Sequence, residues 1–146
     1  MPQNSFSWLH LTDFHFGLDG QKFLWPNLRQ AFLDDLEELH QQTGPWQAVL
    51  FTGDLVQQGK SAEFQEMQKD VLDRLWEKLV ELGSGNAVLL AVPGNHDLYR
   101  PKKGTGAIDM LLLPNGFSHI AETFWNDSNS DYRRVINDAF APYSEW

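Results

Sequence analysis

Three short apolar runs, separated by two stretches of helical periodicity, constrain the fold of this chain most strongly. The runs cover residues 6–12, 48–51 and 87–92, and each is too short for a helix and typical of a buried strand. Between them, apolar residues recur every three or four positions, first over 24–39 and then over 64–82. The order strand, helix, strand, helix, strand indicates parallel strands joined by right-handed crossovers, and therefore an α/β fold.

The remainder of the chain is less regular. Residues 98–146 are expected to be rich in loops, with one or two short helices over 117–125 and 132–140. Asp131 is expected to cap the second of these helices, because a short polar side chain can accept a hydrogen bond from the first turn.

The sheet is expected to be incomplete in this chain. No apolar run typical of a strand follows Val92, and two late aromatic residues, Tyr143 and Trp146, are expected to lack packing partners within the chain. We therefore predict a single domain over residues 1–146, with its core motifs within 6–97.

Composition excludes several classes of protein. The net charge of -9 argues against extended nucleic-acid binding, which relies on Lys and Arg to neutralise phosphates. The absence of cysteine excludes disulfides, thiolate metal sites and a cysteine nucleophile. Residues 1–5 lack a basic region, and the apolar run after them is too short for a signal peptide or a membrane span. The sequence thus predicts a cytoplasmic protein without a membrane partner.

A short polar motif follows each of the three strand-like runs. The motifs are Asp13-Phe14-His15, Gly53-Asp54 and Gly94-Asn95-His96-Asp97. Because the carboxyl ends of parallel strands meet at one edge of a sheet, the motifs should converge there. Carboxylate, imidazole and amide oxygen are ligands of hard and borderline divalent cations. The sequence therefore predicts a metal site at this edge.

Each motif suggests a role for its side chains. Asp13 and His15 are two residues apart, so in an extended segment they can reach the same ion. Asp54 follows a glycine that permits close backbone approach, and its two oxygens can bridge two ions. Asn95 offers a neutral amide oxygen. His96 could protonate a leaving alkoxide or stabilise developing charge.

In their order and placement, these motifs resemble those of the N-terminal half of the calcineurin-like metallophosphoesterases, which run Asp-x-His, Gly-Asp and Gly-Asn-His-Asp/Glu. The resemblance covers roughly the first hundred residues. It implies an αββα sandwich of which this chain forms the N-terminal part. It also implies a hydrolase, either a phosphatase or a phosphodiesterase, in which a hydroxide between two divalent ions attacks a phosphate ester.

The resemblance assigns metal ligation to Asp13, His15, Asp54 and Asn95. The first two would hold one ion, Asn95 would hold the second, and Asp54 would bridge them. His96 would assist the leaving oxygen, and Asp97 beside it could orient the ring or raise its basicity. Mixed ligation of this kind suits manganese, iron or zinc better than calcium. Arg100 could bind the substrate, with a solvated basic loop as the alternative.

The later ligands of the family have no counterpart here. Its further histidine and its Gly-His-x-His motif are missing, and the only histidine after His96 is His119, which follows no strand-like run. Two explanations are open. In one, the chain is part of a longer phosphoesterase with additional domains after Trp146. In the other, it is a non-catalytic sensing or scaffolding module that binds one ion or none.

Overall fold

The computed structural model describes residues 5–102 and 104–146. These residues form three β-strands and six α-helices in the order β1 (Trp8–Leu11), α1 (Gln21–Thr43), β2 (Ala48–Thr52), α2 (Ser61–Met67), α3 (Asp73–Glu81), β3 (Val88–Val92), α4 (Gly106–Leu112), α5 (Gly116–Asn126) and α6 (Asp131–Glu145). A π-helical turn, Gln68–Leu72, joins α2 to α3. The predicted α/β class and the order of the first five elements are confirmed, with the second helix divided by this turn.

The three strands form one parallel sheet in the order β1-β2-β3, with Leu9 in register with Val49 and Val49 with Leu89. Because both crossovers run in the same direction across the sheet, both place their helices on the same face. Leu9, Val49 and Phe51 lie on this covered face and are buried. They join one hydrophobic cluster with side chains of the crossover helices, among them Leu36, Phe64, Met67, Leu75 and Leu79.

The opposite face of the sheet is exposed. Trp8, Leu90 and Val92 are each 55% accessible to solvent, and Val88 is 57% accessible. Among the described residues the sheet therefore has a helical layer on one side only. One sheet with one layer of helices is part of a sandwich, as predicted.

Three helices, rather than one or two within a loop-rich region, follow the sheet. The prediction missed α4, which begins after Thr105 and lies between glycines that indicate a loop; the Thr105 Oγ1 accepts from the Ile108 N–H at 3.4 Å. The cap of α6 is also one residue earlier than predicted. Ser130, not Asp131, is the N-cap residue, and its Oγ accepts from the Arg133 N–H at 3.3 Å.

Helix α6 returns to the hydrophobic core. The rings of Tyr143 and Trp146 lie 6.2 and 5.6 Å from the ring of Phe64, measured between centroids. The Tyr143 hydroxyl also donates to the carbonyl of Ala91 in β3, at 2.9 Å. The expectation that these late aromatics lack partners within the chain is therefore wrong, because α6 brings them across the end of the sheet.

The helices were compared with the length and hydropathy of membrane-spanning segments. Among residues 5–102 and 104–146, none of the helices combines the length and the apolar character that a bilayer crossing requires. The cytoplasmic location stays a prediction.

Candidate metal centre

The first two motifs lie side by side because backbone pairing continues past the ends of β1 and β2. The Asp13 N–H donates to the carbonyl of Gly53 at 3.2 Å, and the His15 N–H donates to the carbonyl of Asp54 at 2.8 Å. An isolated parallel bridge follows at Phe16. The parallel sheet thus places the Asp13–His15 loop against Asp54, as the topology predicts.

Backbone strain is concentrated at the candidate ligands. Asp13, His15 and Asp54 have φ angles of 53°, 48° and 52°, in the left-handed region that L-residues seldom occupy. Of the other described non-glycine residues, only Asn115 has a positive φ. Such conformations cost about 1–3 kcal/mol each and are characteristic of functional sites. The strain therefore marks these three positions independently of their side-chain chemistry.

The glycines of the second and third motifs let two loops touch through their backbones. Gly53 has a φ of 99°, and a Cβ there would meet the Gly94 Cα at 3.1 Å. A Cβ on Gly94 would collide with the carboxylate and the backbone nitrogen of Asp54. Each glycine is therefore required by a close approach, and this approach holds the third motif against Asp54.

His15, Asp54 and His96 form the core of the candidate metal centre. One potential ligand atom from each lies within 4.8 Å of the other two. The rings of His15 and His96 meet edge to face, with centroids 4.7 Å apart and planes at 87°. The three strand ends therefore bring an imidazole, a carboxylate and a second imidazole to one point.

The distances around His15 suit a shared ion. Its Nε2 lies 3.9 Å from an oxygen of Asp13 and 4.0 Å from Oδ2 of Asp54, too far for hydrogen bonds. An ion with bonds of about 2.0–2.2 Å to nitrogen and oxygen could span such separations. The His15 Nδ1 is also buried without a hydrogen-bond partner in the described chain. This donor set fits a divalent cation.

His96 is held by two hydrogen bonds, and the one that its ring makes fixes its tautomer. Its backbone N–H donates to Oδ1 of Asp54 at 2.8 Å. Its Nδ1 lies 3.0 Å from the carbonyl oxygen of Gln57. Because a carbonyl can only accept, Nδ1 carries the proton and, in the neutral ring, Nε2 carries the lone pair.

The Asp97 carboxylate lies between backbone donors in the loops of the second and third motifs. It is fully buried and accepts from the Val56 N–H at 2.9 Å and from the Gly94 N–H at 2.8 Å. The His96 ring is oriented by Gln57 instead. Asp97 therefore positions the loops of the second and third motifs through these backbone donors, and its catalytic role stays a prediction.

A comparison with known protein families settles the classification. A family model described as calcineurin-like phosphoesterase matches residues 6–141, which is most of the chain. This chain belongs to the calcineurin-like phosphoesterase family. A comparison with curated proteins gives no match. The match continues past the third motif and into α6, and the three parallel strands with their helices are part of the metallophosphoesterase fold.

Two predicted ligands of this phosphoesterase lie at the rim of the centre. The Asp13 side chain is 65% exposed, and its Oδ2 accepts from the Thr12 hydroxyl at 2.8 Å. Asn95 is exposed beside the His96 backbone. The compact group thus contains His15, Asp54 and the predicted catalytic His96, whereas the two rim residues border it.

Arg100 lies in a cleft next to the metal centre. The cleft has a volume of about 270 Å³ and is lined by Gln57, Gln58, Lys60, His96, Leu98, Tyr99 and Arg100. A larger cavity of about 780 Å³, among α4, α5 and α6, contains none of the motif residues. The smaller cleft is therefore the one that adjoins the motif residues, through His96.

Sequence reasoning missed three residues that shape the site. Gln57 acts through its backbone carbonyl, which leaves no signal in the residue type. Lys60 enters the cleft from a loop, and a single basic residue in a loop is a weak signal. Thr12 could have been found, because a hydroxyl directly before a candidate ligand is a common local partner of that carboxylate.

Proposed function

We propose that this chain forms a metal-dependent phosphoesterase centre that hydrolyses a phosphomonoester or a phosphodiester. Membership of the family supports a metal-dependent phosphoesterase in general. The observation that carries the proposal is the convergence of His15, Asp54 and His96 within 4.8 Å at the carboxyl ends of the strands.

The proposed ligands are Asp13, His15, Asp54 and Asn95, with manganese, iron or zinc as the metals that suit them. When bound, two such ions would supply a hydroxide nucleophile and polarise the phosphoryl oxygens. The protein contributes a prearranged carboxylate. Because the Asp54 Oδ1 is fixed by the His96 N–H, its Oδ2 is directed toward the Nε2 of His15.

His96 is suited to hold a proton for the leaving oxygen. The hydrogen bond from Nδ1 to Gln57 leaves Nε2 as the atom that can take up and donate a proton. Arg100 lines the same cleft as His96, so its guanidinium can bind an anionic group of the substrate there. Water replaces the leaving group on phosphorus, and the proton that His96 delivers converts the leaving oxygen to a hydroxyl.

Substitution of Asp54 tests this proposal. We expect Asp54→Asn to lower kcat/KM for p-nitrophenyl phosphate or bis(p-nitrophenyl) phosphate, assayed with Mn²⁺, by at least about 100-fold, because one ligand charge is lost. Asp35→Asn is the matched control, since Asp35 is exposed on α1. Turnover that is independent of metal, or an Asp54→Asn variant as active as the control, would exclude the proposal.

A non-catalytic sensing or scaffolding module is the second candidate. The observation that favours it is that the compact group in the described part of the chain contains only two of the proposed ligands, His15 and Asp54. His119 is exposed in α5, far along the sequence from the motifs. Equilibrium dialysis with Mn²⁺ separates the candidates. Two bound ions with turnover support the enzyme, whereas one ion or none without turnover supports the module.

A further inference from the structure

The cleft beside His96 is built from two loops that contact each other through their backbones. Gly59 is buried with a φ of 62°, and a Cβ there would collide with the backbone of Leu98 and Tyr99. The Tyr99 N–H also donates to the carbonyl of Ala139 in α6, at 3.0 Å. The loop after β2 therefore places Lys60 at a fixed distance from the loop that carries Arg100.

Lys60 is held at a defined position at the start of α2. Its backbone N–H donates to the Glu63 carboxylate at 3.3 Å, and the Gln58 N–H donates to the same oxygen at 2.9 Å. These bonds fix the backbone from which the Lys60 side chain enters the cleft. The Lys60 ammonium group therefore extends from a turn whose backbone is fixed by hydrogen bonds to Glu63.

The cleft is positively charged although the protein is acidic. Lys60 and Arg100 both line it, and no carboxylate does so among its described lining residues. Within the described chain, neither cation forms an ion pair. Two unpaired cations in a concave site on a chain of net charge -9 create a local field that favours anions.

We propose that Lys60 and Arg100 form a subsite for a second anionic group on the leaving side of the substrate. This inference rests on the proposed function, in which His96 protonates the leaving oxygen at one wall of the cleft. The favoured substrate is then a phosphate ester whose leaving group carries its own phosphate. The oxygen of water forms a bond to phosphorus, and the bond from phosphorus to the leaving oxygen breaks. The leaving oxygen takes the proton from His96, and the resulting phosphorylated alcohol remains bound to the two cations.

The volume of the cleft agrees with a phosphate ester whose leaving group carries a second phosphate. About 270 Å³ lies just below the usual range for ligand pockets and is enough for a phosphate and the adjoining part of a leaving group. Gln57 and Gln58 add amide groups that can hydrogen-bond to phosphate oxygens or hydroxyls. A leaving group without a charge would gain nothing from the two cations.

Adenosine 3′-monophosphate and adenosine 3′,5′-bisphosphate provide a matched pair of substrates. They share the scissile 3′-phosphate and differ only in the phosphate on the leaving nucleoside. With Mn²⁺ present, we expect Lys60→Met and Arg100→Met each to raise the KM for the bisphosphate about tenfold more than the KM for the monophosphate, because each removes one charged hydrogen-bond donor. Lys60→Arg should restore the preference.

Lys102→Met is the control, because Lys102 lines the larger cavity among α4, α5 and α6 and should leave the ratio of the two KM values unchanged. Equal effects on both substrates, or a control that matches Lys60→Met, would overturn the subsite. If neither nucleotide turns over although the p-nitrophenyl esters do, calorimetric binding of methylenediphosphonate decides the subsite. Weaker binding of methylenediphosphonate to Lys60→Met and to Arg100→Met then supports the subsite, and unchanged binding to these two variants overturns it.

Discussion

The two faces of the parallel sheet are built from similar residues but have different surroundings. On the covered face, Leu9, Val49 and Phe51 pack against the crossover helices. On the open face, Trp8 and Leu90 are each more than half exposed. The comparison shows that the apolar sequence of a strand predicts burial. It does not identify which face of the sheet is buried or which elements cover that face.

The difference follows from the direction of the crossovers. Parallel sheets are generally covered on both faces, and their strands are therefore apolar throughout. Here the strands run in the order β1-β2-β3, so successive right-handed crossovers return to the same face. The sequence of β3 is consequently typical of a strand that is buried on both faces, although the described residues cover only one face of the sheet.

The largest effect should come from placing the same charge on each face. Val49 is 0% exposed on the covered face, and Val88 is 57% exposed on the open face. We expect Val49→Asp to cost more than about 4 kcal/mol and to prevent folding, because an unpaired carboxylate would be buried. Val88→Asp should cost less than about 1 kcal/mol. Far-UV circular dichroism and urea unfolding measure both.

If Val49→Asp does not fold, alanine substitutions still allow the free energies of unfolding to be compared between the two faces. Val49→Ala should cost about 2 kcal/mol, and Val88→Ala less than about 0.5 kcal/mol, since only the first leaves a cavity. Equal losses at the two positions would mean that the open face is covered in solution. Sedimentation velocity would then identify association between copies as the cause.

The buried Asp97 carboxylate extends the comparison between buried and exposed positions to a polar side chain. The Asp97 carboxylate ties the Val56 N–H to the Gly94 N–H, and all of it is shielded from water. We expect Asp97→Ala to cost about 2–4 kcal/mol, because two backbone donors lose their acceptor, and Asp97→Asn to cost roughly half as much. Urea unfolding measures the loss, with Asp35→Ala on the exposed side of α1 as control. A loss below that of the control would contradict the anchoring role.

Much of the fold was predictable because its signals are local. Each strand follows from an apolar run, and the convergence of Asp54 with His15 follows from parallel topology. The contacts of Asp97 were not predictable from its neighbour His96, because burial and one donor far along the chain, the Val56 N–H, decide them. A local signal did exist, since the Gly94 N–H lies three residues before the carboxylate that accepts from it.

The cleft could not be predicted from the sequence for a different reason. It depends on Gly59, whose missing side chain lets one loop lie against the backbone of Leu98 and Tyr99, far along the chain. A glycine in a loop predicts a turn but not its partner. Helix α4 was missed because flanking glycines indicate a loop, whereas the Thr105 cap and the packing of α4 on α6 stabilise a short helix.

The smallest expected effect concerns the end of β3 on the covered face, where the Tyr143 hydroxyl donates to the carbonyl of Ala91 at 2.9 Å. Burial, and to a lesser extent the negative charge of Asp97, raises the pKa of Tyr143. The folded state therefore favours the neutral phenol. Its contribution is complete below about pH 10, the pKa of an unfolded tyrosine, and falls as the pH rises through the higher folded pKa.

Tyr143→Phe should cost about 1 kcal/mol at pH 7, the usual value of one hydrogen bond, and should flatten the loss of stability above about pH 10. Urea unfolding at neutral pH and across the alkaline range measures both effects. Tyr132→Phe, on the same helix, should retain the alkaline loss of the wild type. If Tyr143→Phe and the wild type lose stability in parallel, another group titrates there, and the covered end of β3 depends less on α6 than its contacts indicate.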